Sequence, residues 1–485
     1  MRSMDQFSAA LREQLQMHFH ESADVVVRSI SSEIAVCFVS ELIDKAHLAE
    51  FIVYPLQCLD KTPLGDQLAD LLPIGEVQSA NSLDEAIPLV ARGWVYIATP
   101  QGGVAANISN MPKRSLAAPE NEATILGPML GFTEDLGTNA AMLRSSIPDP
   151  ALCNEQYTIG NVRETTVSLF YMDNRVEQSC AAQLRERIQS IRGNDITGSS
   201  ELMHMLQDND GSVFPQLRLT ERVDLASNSL LEGKVVLIAD GSPLAIIGPN
   251  EFIDFFLSPE DRYIGWSLGT FLRALRLVAL IISLFATPAY VAALTFHYEI
   301  IPSSLLVSLI QSRSRVPFPP LFEALILEFT MQLLREAGAR LPTKVGQTMG
   351  IVGGIVIGQA AVAAGFTSNI LILLVALAAL GSFAIPDYTM SSSLRLVHYP
   401  MIISAGVWGG IGIAFISLLV TLHLIRQTSL GKAYFNPIKP SKREQDAHHE
   451  LLLPEPHGLT SKGHNLRKLV KSFKLRSLWM GDIDD

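Results

Sequence analysis

The sequence predicts an α/β soluble N-terminal region in two subdomains followed by an α-helical polytopic membrane domain. Three observations carry this. Before about residue 267 short strand-like runs alternate with helical patterns and most acidic residues are found; after it, long apolar runs recur; and basic residues collect beside those runs and in the tail. A helix crossing a hydrocarbon core of roughly 30 Å needs about 20 apolar residues, which the later runs supply. The chain of 485 residues has room for two or three domains. The boundaries that follow are a first cytosolic α/β subdomain over 1–110, a second over 111–265, a transmembrane helical domain over 266–427 and a basic cytosolic tail over 428–485.

In chain order, residues 1 to about 27 read as a short polar lead. They hold no uninterrupted apolar core after a basic start, so no cleaved signal peptide is expected and the N-terminal region should stay cytosolic. Ile34 to Val39 reads as a buried strand leading into a helical pattern. The stretch SLDEAIPLVARG reads as a helix and WVYIAT, 94–99, as the next strand. The Gly/Pro/Asn-containing run 101–122 reads as a linker or long loop. Beyond it, strands are expected at 165–172, 234–240 and 244–248, with helices at VEQSCAAQLRERIQSI and SELMHMLQD. Asp240 and Gly241 signal a short hairpin, expected to close an antiparallel edge.

Several functions are disfavoured. A net charge of -11 leaves no basic footprint for nucleic acid. Cys37, Cys58, Cys153 and Cys180 lack paired metal-ligand spacing, and in a reducing compartment they read as free core thiols. GxGxxG opening a helix, GxxxxGK[ST] and GxSxG are missing, so nucleotide and hydrolase readings lack their mechanical parts. No catalysis, cofactor or metal is assigned, and the chain is not read as an enzyme.

Four spans are expected, at 275–296, 345–366, 369–385 and 401–425. The segment 320–338 carries Glu323, Glu328, Arg335 and Glu336, and reads as a fifth span, a re-entrant helix or an interfacial helix. Intramembrane acidic residues such as Glu323 and Glu328 should face protein or water rather than lipid. Arg273 and Arg276 before the first span, with Arg426, Lys432 and Lys439 after the last, place both ends in the cytosol and favour an even number of crossings. Four spans alone would leave Arg313, Arg315, Arg335, Arg340 and Lys344 on the outer side; either 320–338 crosses with a short partner or these bases pair inside the protein.

Gly346, Gly350, Gly354 and Gly358 recur every four residues in an apolar run, although glycine costs roughly 1 kcal/mol relative to alanine in a helix interior. Close helix-on-helix contact repays that cost. The partner helix belongs either to the same chain or to further copies gathered round an axis. Gln347, Thr348 and Gln359 suit a pore wall or interhelical hydrogen bonds equally, and Val362 suits a hydrophobic constriction. Pro288 and Pro386 free backbone groups that neighbouring chain must satisfy. In the tail, HNLRKLVKSFKLRSLWM has the pattern of a basic amphipathic helix on an anionic lipid surface. No internal repeat of the kind a secondary transporter would show is evident.

The run RSRVPFPPLFEALILEFTMQLLREAGARLPTKVGQTMGIVGGIVIGQAAV, with HYEIIPSSL before it and HLIRQTSLGKAYFNPI after the last span, resembles the A subunits of GerA-type spore germinant receptors. GPMLGFTEDLGTNAAMLRS, VFPQLRLTERVDLASNSLLEGKVVLIADGSP and FFLSPEDRY extend the likeness over about residues 25–440. The chain departs from the family pattern at Met129 and Leu130 (usually arginine and glutamate), Val223 (proline) and Ser145 (arginine). The resemblance implies a receptor subunit in the inner membrane of a dormant spore, with a transporter-like B subunit that holds the nutrient and a lipoprotein C subunit. It also implies a homo-oligomer forming a ligand-gated ion channel that triggers germination; a non-conducting scaffold for the B subunit is the alternative. Glu134, Asp135, Glu221, Arg222 and Asp224 read as structural ion pairs or interface contacts, with Glu221, Arg222 and Asp224 as the subdomain contact.

Overall fold

The computed structural model describes residues 4–59, 65–110, 119, 122, 126–191, 193–339 and 358–435. The N-terminal half contains two antiparallel five-stranded sheets. In the first lobe the strands are β1 (Val25–Ser29), β2 (Ala35–Val39), β3 (Val77–Ala80), β4 (Trp94–Thr99) and β5 (Gly102–Asn107), in spatial order β1-β2-β4-β5-β3. In the second they are β6 (Leu152–Ile159), β7 (Thr165–Met172), β8 (Arg218–Thr220), β9 (Val235–Ala239) and β10 (Ala245–Gly248), in order β6-β7-β9-β10-β8. Counted from its own first strand, each sheet has the same order.

The helices repeat as well. One face of the first sheet is covered by α1 (Met4–His18) and, further along the chain, α5 (Leu83–Val90). The other is covered by α2 (Lys45–His47), the π-turn Leu48–Val53, α3 (Tyr54–Gln57) and α4 (Gly65–Leu71). In the second lobe α6 (Leu136–Ser146) and α9 (Val223–Leu231) cover one face, with α7 (Gln178–Ser190) and α8 (Ser199–Leu206) on the other. Because both faces are covered, the inner strands are apolar throughout while their side chains still alternate between two cores. Val235, Leu237 and Ala239 join one, and Val236 and Ile238 the other.

Three expectations need correction. The polar lead contains α1, whose Leu11 and Leu15 are buried together with Phe19 just beyond its end, because their spacing gives an otherwise polar segment one apolar stripe. The expected linker begins with β5, where GGVAAN pairs with both β3 and β4; Gly103 lies so close to the Tyr96 ring and Ile97 carbonyl that a Cβ would collide. The hairpin at Asp240 and Gly241 joins β9 to β10, but it is interior, since β8 flanks β10. Cys37, Cys153 and Cys180 are buried free thiols and Cys58 is exposed.

The lobes meet at a buried ion pair. Arg144 of α6 donates to Asp24, with Nε to Oδ2 and Nη2 to Oδ1 both 2.8 Å, and Nη2 also reaches Ser22 Oγ at 2.8 Å. The Ala23 amide donates to the Asn154 carbonyl and the Asn154 amide to Ser22 Oγ, each at 2.8 Å.

The C-terminal half is a helical bundle of α10 (Trp266–Thr295), α11 (Ser303–Arg313), α12 (Pro320–Ala339), α13 (Asn369–Phe383) and α14 (Tyr388–Arg426). By length and apolar composition α10 and α14 can cross a membrane, and α13 is apolar but shorter. The expected span 401–425 is not one rod. Gly409 adopts φ 62° and ψ -139°, which breaks α14 into arms 388–408 and 410–426. The arms fold back on each other, since a Cβ at Gly412 would meet the Ser404 carbonyl and Leu394 and Leu424 share one cluster. Hydropathy alone merges the arms, because glycine interrupts geometry without interrupting an apolar run.

The bundle stands on the second lobe. Ile385, Met390, Leu394 and Leu424 pack with Phe214, Phe255, Phe256 and Tyr434. Arg273 and Arg276, the basic flank of the first expected span, both bind the buried Asp261 and fix the start of α10 to the lobe. After α14 the chain re-enters the lobe as a strap, Gln427 to Phe435. It carries the small hairpin of β11 (Thr428–Ser429) and β12 (Lys432–Ala433) and puts Leu430 into the core beside Leu217 and Cys180.

Candidate functional site

Two carboxylates lie inside the bundle, both on α12. Glu323 is 1% exposed. It accepts from the Ser368 amide and from Thr367 Oγ1 (3.1 Å), and Arg313 Nη2 is 3.6 Å away. Ser368 is the N-cap of α13, with Oγ 2.9 Å from the Tyr290 hydroxyl. The negative charge thus meets a helix N-terminus and a guanidinium, the two partners that best offset its burial. This realises the option that the arginines following the first span pair inside the protein, at least for Arg313.

Glu328 lies deeper along α12. Its Oε1 accepts from Thr287 Oγ1 (3.0 Å) and faces His398 Nε2 (3.0 Å), while His398 Nδ1 is 3.1 Å from the Leu284 carbonyl. That carbonyl is the one Pro288 leaves without its i+4 amide, so the proline creates the acceptor that the histidine fills. The Leu284 oxygen can only accept, so Nδ1 carries a proton. A second proton then lies between Nε2 and Glu328, on one partner or the other. The Glu328–His398 pair is therefore net neutral.

Beside this pair is a cavity of about 30 Å³, room for a water or two. It is lined by Glu328, Gln332, Arg335, Arg395, His398 and Tyr399, with small residues of α13 opposite. Arg395 bonds Ser391 Oγ (3.1 Å) and Ser392 Oγ (2.6 Å). Arg335 lies over the Phe383 ring, 4.7 Å from its centroid, and its buried Nη1 has no hydrogen-bond partner among the described residues. Outward, the bundle exposes Phe322, Ile326, Phe329 and Leu333 of α12 and Leu373, Leu377, Leu380 and Phe383 of α13, the kind of apolar surface that marks contact with lipid or protein.

At the distal end His297 Nε2 accepts the Gly410 amide at 3.1 Å, satisfying a backbone group that the break in α14 releases. At the lobe end Asp208 holds the strap: the Leu430 amide (3.1 Å), the Gly431 amide (3.0 Å) and Thr428 Oγ1 all donate to it, and Arg187 pairs with it at 2.6 Å. Burial pushes the Asp208 carboxyl up, but these donors outweigh it and hold it below the usual range.

Of the residues expected to line a pore or pack helices, Gly346, Gly350 and Gly354 lie outside the described residues, as do Gln347, Thr348 and the tail beyond Phe435. Gly358 lies in a helical turn, with open space where a Cβ would be; Gln359 is exposed and Val362 half-buried. Arg222, 1% exposed, pairs with Asp224 at 2.8 Å and donates to the Pro128 carbonyl at 3.2 Å. The Glu221 amide donates to Glu122 and its carbonyl accepts the Phe132 amide. Glu221 and Arg222 thus bind Glu122, Pro128 and Phe132 within the second lobe, with Asp224 pairing Arg222, while Arg144–Asp24 and the Asn154 bonds to Ser22 and Ala23 join the lobes. Asp135 caps α6 through the Thr138 amide. The Val223 amide donates to the Leu130 carbonyl at 3.4 Å.

His398, Arg395, Arg144 and Asp208 were not singled out in the sequence. Pro288 was the available signal for the first, because a proline inside a span obliges some neighbour to bond the carbonyl four residues earlier. Among the described residues no group of three or more His, Cys, Asp or Glu is placed to share a metal ion.

A family model described as Bacillus/Clostridium GerA spore germination protein matches residues 13–458. Spore germination protein GerQA of Bacillus cereus is 40% identical over 419 residues, 86% of this chain and 84% of that protein. Spore germination protein KA of Bacillus subtilis (strain 168) is 35% identical over 431 residues, covering 86% and 79%. Among solved structures, the N-terminal domain of the A subunit of the Bacillus megaterium spore germinant receptor GerK3 matches 50% of this chain and 94% of its own, at 22% identity and a TM-score of 0.38. With a family match over nearly the whole length and relatives of this similarity, the chain belongs to the GerA spore germination protein family.

Proposed function

We propose that this chain is the A subunit of a nutrient germinant receptor of the spore inner membrane, with its two lobes in the cytosol. In this reading several copies assemble around an axis into a ligand-gated ion channel, beside a transporter-like B subunit and a lipoprotein C subunit. The observation that carries it is the bundle itself: apolar outside, with Glu323, Glu328, His398 and three arginines, Arg313, Arg335 and Arg395, between its helices and a join to the second lobe through the buried Asp261. Ionisable groups at such depth are costly and mark functional positions.

The sequence row Gly346, Gly350, Gly354 and Gly358 is the proposed packing surface between copies, with Gln359 and Val362 facing the conduction path. The open space at Gly358 and the exposure of Gln359 agree with a face kept for another copy. A nutrient bound by the partner opens the path only to the extent that it prefers the open state. The test is monovalent-ion leak in cells making Val362→Ala against the parent chain at equal membrane levels. A new leak is expected; its absence with assembly confirmed would favour a non-conducting scaffold.

A further inference from the structure

The cavity beside Glu328 has a charge imbalance that the helix packing does not explain. Because Glu328 and His398 form a net-neutral pair, Glu328 is not available to balance both Arg335 and Arg395. Among the described residues Arg395 bonds serine hydroxyls and Arg335 Nη1 is buried without a partner, while Glu336 is exposed and does not line the cavity. Two guanidinium groups on adjoining helices therefore face one polar space. A buried cation left unpaired is costly, and the usual remedy is an oxyanion that accepts from both forks.

The cavity's place in the bundle indicates the source of that anion. Arg395 lies two turns inside α14 from the lobe, and Arg335 stacks on Phe383 in the last turn of α13. Phe383 and Leu380 on α13 and Leu333 on α12 are each more than half exposed, so an apolar surface for acyl chains adjoins the cavity. Basic pockets between membrane helices on the cytoplasmic side are a recurrent way of holding lipid head groups.

We propose that an anionic phospholipid from the leaflet nearest the lobes sets its phosphate at the mouth of this cavity, one phosphate oxygen entering the water-sized space between Arg335 and Arg395 with Gln332 and Tyr399 at its wall, and its acyl chains lying along Leu380 and Phe383. The proposal rests on reading the bundle as membrane-embedded, which resistance of the membrane-bound chain to alkaline carbonate extraction checks separately from any lipid preference.

The binding test uses the full chain, purified in detergent, depleted of lipid and titrated with phosphatidylglycerol, phosphatidylcholine or inorganic phosphate. Retained lipid is read by mass spectrometry and the melting temperature by scanning fluorimetry. Phosphatidylglycerol should be retained and should raise the melting temperature, with the other two much weaker. Arg335→Gln and Arg395→Gln should each weaken retention at least tenfold. Arg426→Gln, at an exposed arginine on the same side, should leave it within twofold. Arg335→Lys keeps the charge and loses the fork, so an intermediate loss supports the site even if a glutamine variant fails to fold. Equal retention by the parent and both glutamine variants would overturn the proposal, as would equal loss in Arg426→Gln, which marks surface attraction. Displacement of the lipid by millimolar inorganic phosphate would overturn the lipid assignment in favour of a soluble oxyanion.

Discussion

The two lobes are built on one plan and used differently. Each has the same strand order and the same distribution of helices over its two faces. Yet the second lobe carries the bundle through Asp261 and the Phe214–Phe255–Phe256 cluster and receives the strap, whereas the first is tied in through Asp24 and Arg144. A repeated scaffold thus becomes asymmetric through a handful of buried charges and one returning segment. Their places in the chain, rather than the sheets, decide which lobe contacts the helical half directly.

The sharpest way to break this comparison is Arg144→Ala. It leaves Asp24 buried without its cation, at a cost of roughly 3–5 kcal/mol, and should free the first lobe while the second stays on the bundle. Hydrogen exchange should rise in residues 20–30 and remain low in β9; uniform protection across both lobes would refute the tie. Next in size, Leu430→Ala removes a buried side chain from the second core, with an expected loss of about 2–5 kcal/mol. Proteolysis after the last helix should accelerate, and the first lobe should not respond.

Gly409→Ala tests the bundle's own hinge. A side chain at that backbone conformation costs about 1–3 kcal/mol and would sit 2.9 Å from His297 Nε2 and 3.0 Å from Phe296 Cβ. The two arms should splay, measurable as a longer spin-label distance between positions 394 and 424; an unchanged distance would mean that the hinge does not depend on glycine. The smallest effect is expected from pH. The Asp208 carboxyl is depressed in the folded protein below its ordinary value of 3.8. Its contribution is therefore complete above that value and lost as pH falls through the lower folded value. Strap protection should be flat from neutrality to about pH 4 and decline below it, and Asp208→Asn should remove this dependence.

Much of the fold was readable where burial on both faces makes a strand predominantly apolar, as in Trp94–Thr99 and Thr165–Met172. It was unreadable where identity comes from neighbours. GGVAAN is a strand because β3 and β4 flank it, and RLT is one because it seals β10. The repeat was hidden for a related reason: topology constrains which positions are buried, not which residues fill them. In the bundle the carboxylates on α12 stood out against an apolar background, but their partners come from other helices far along the chain, so spacing along one segment could not reveal them. The break at Gly409 was written in the sequence as WGGIG and was lost to hydropathy.

The strap also sets an order of manufacture. Leu430 emerges from the ribosome after every bundle helix described, so the second lobe's core is completed by a side chain made long after the rest of that core. Until then the lobe's core has a gap where Leu430 will sit, and a chain whose α14 does not fold back toward the lobe cannot bring the strap to that gap.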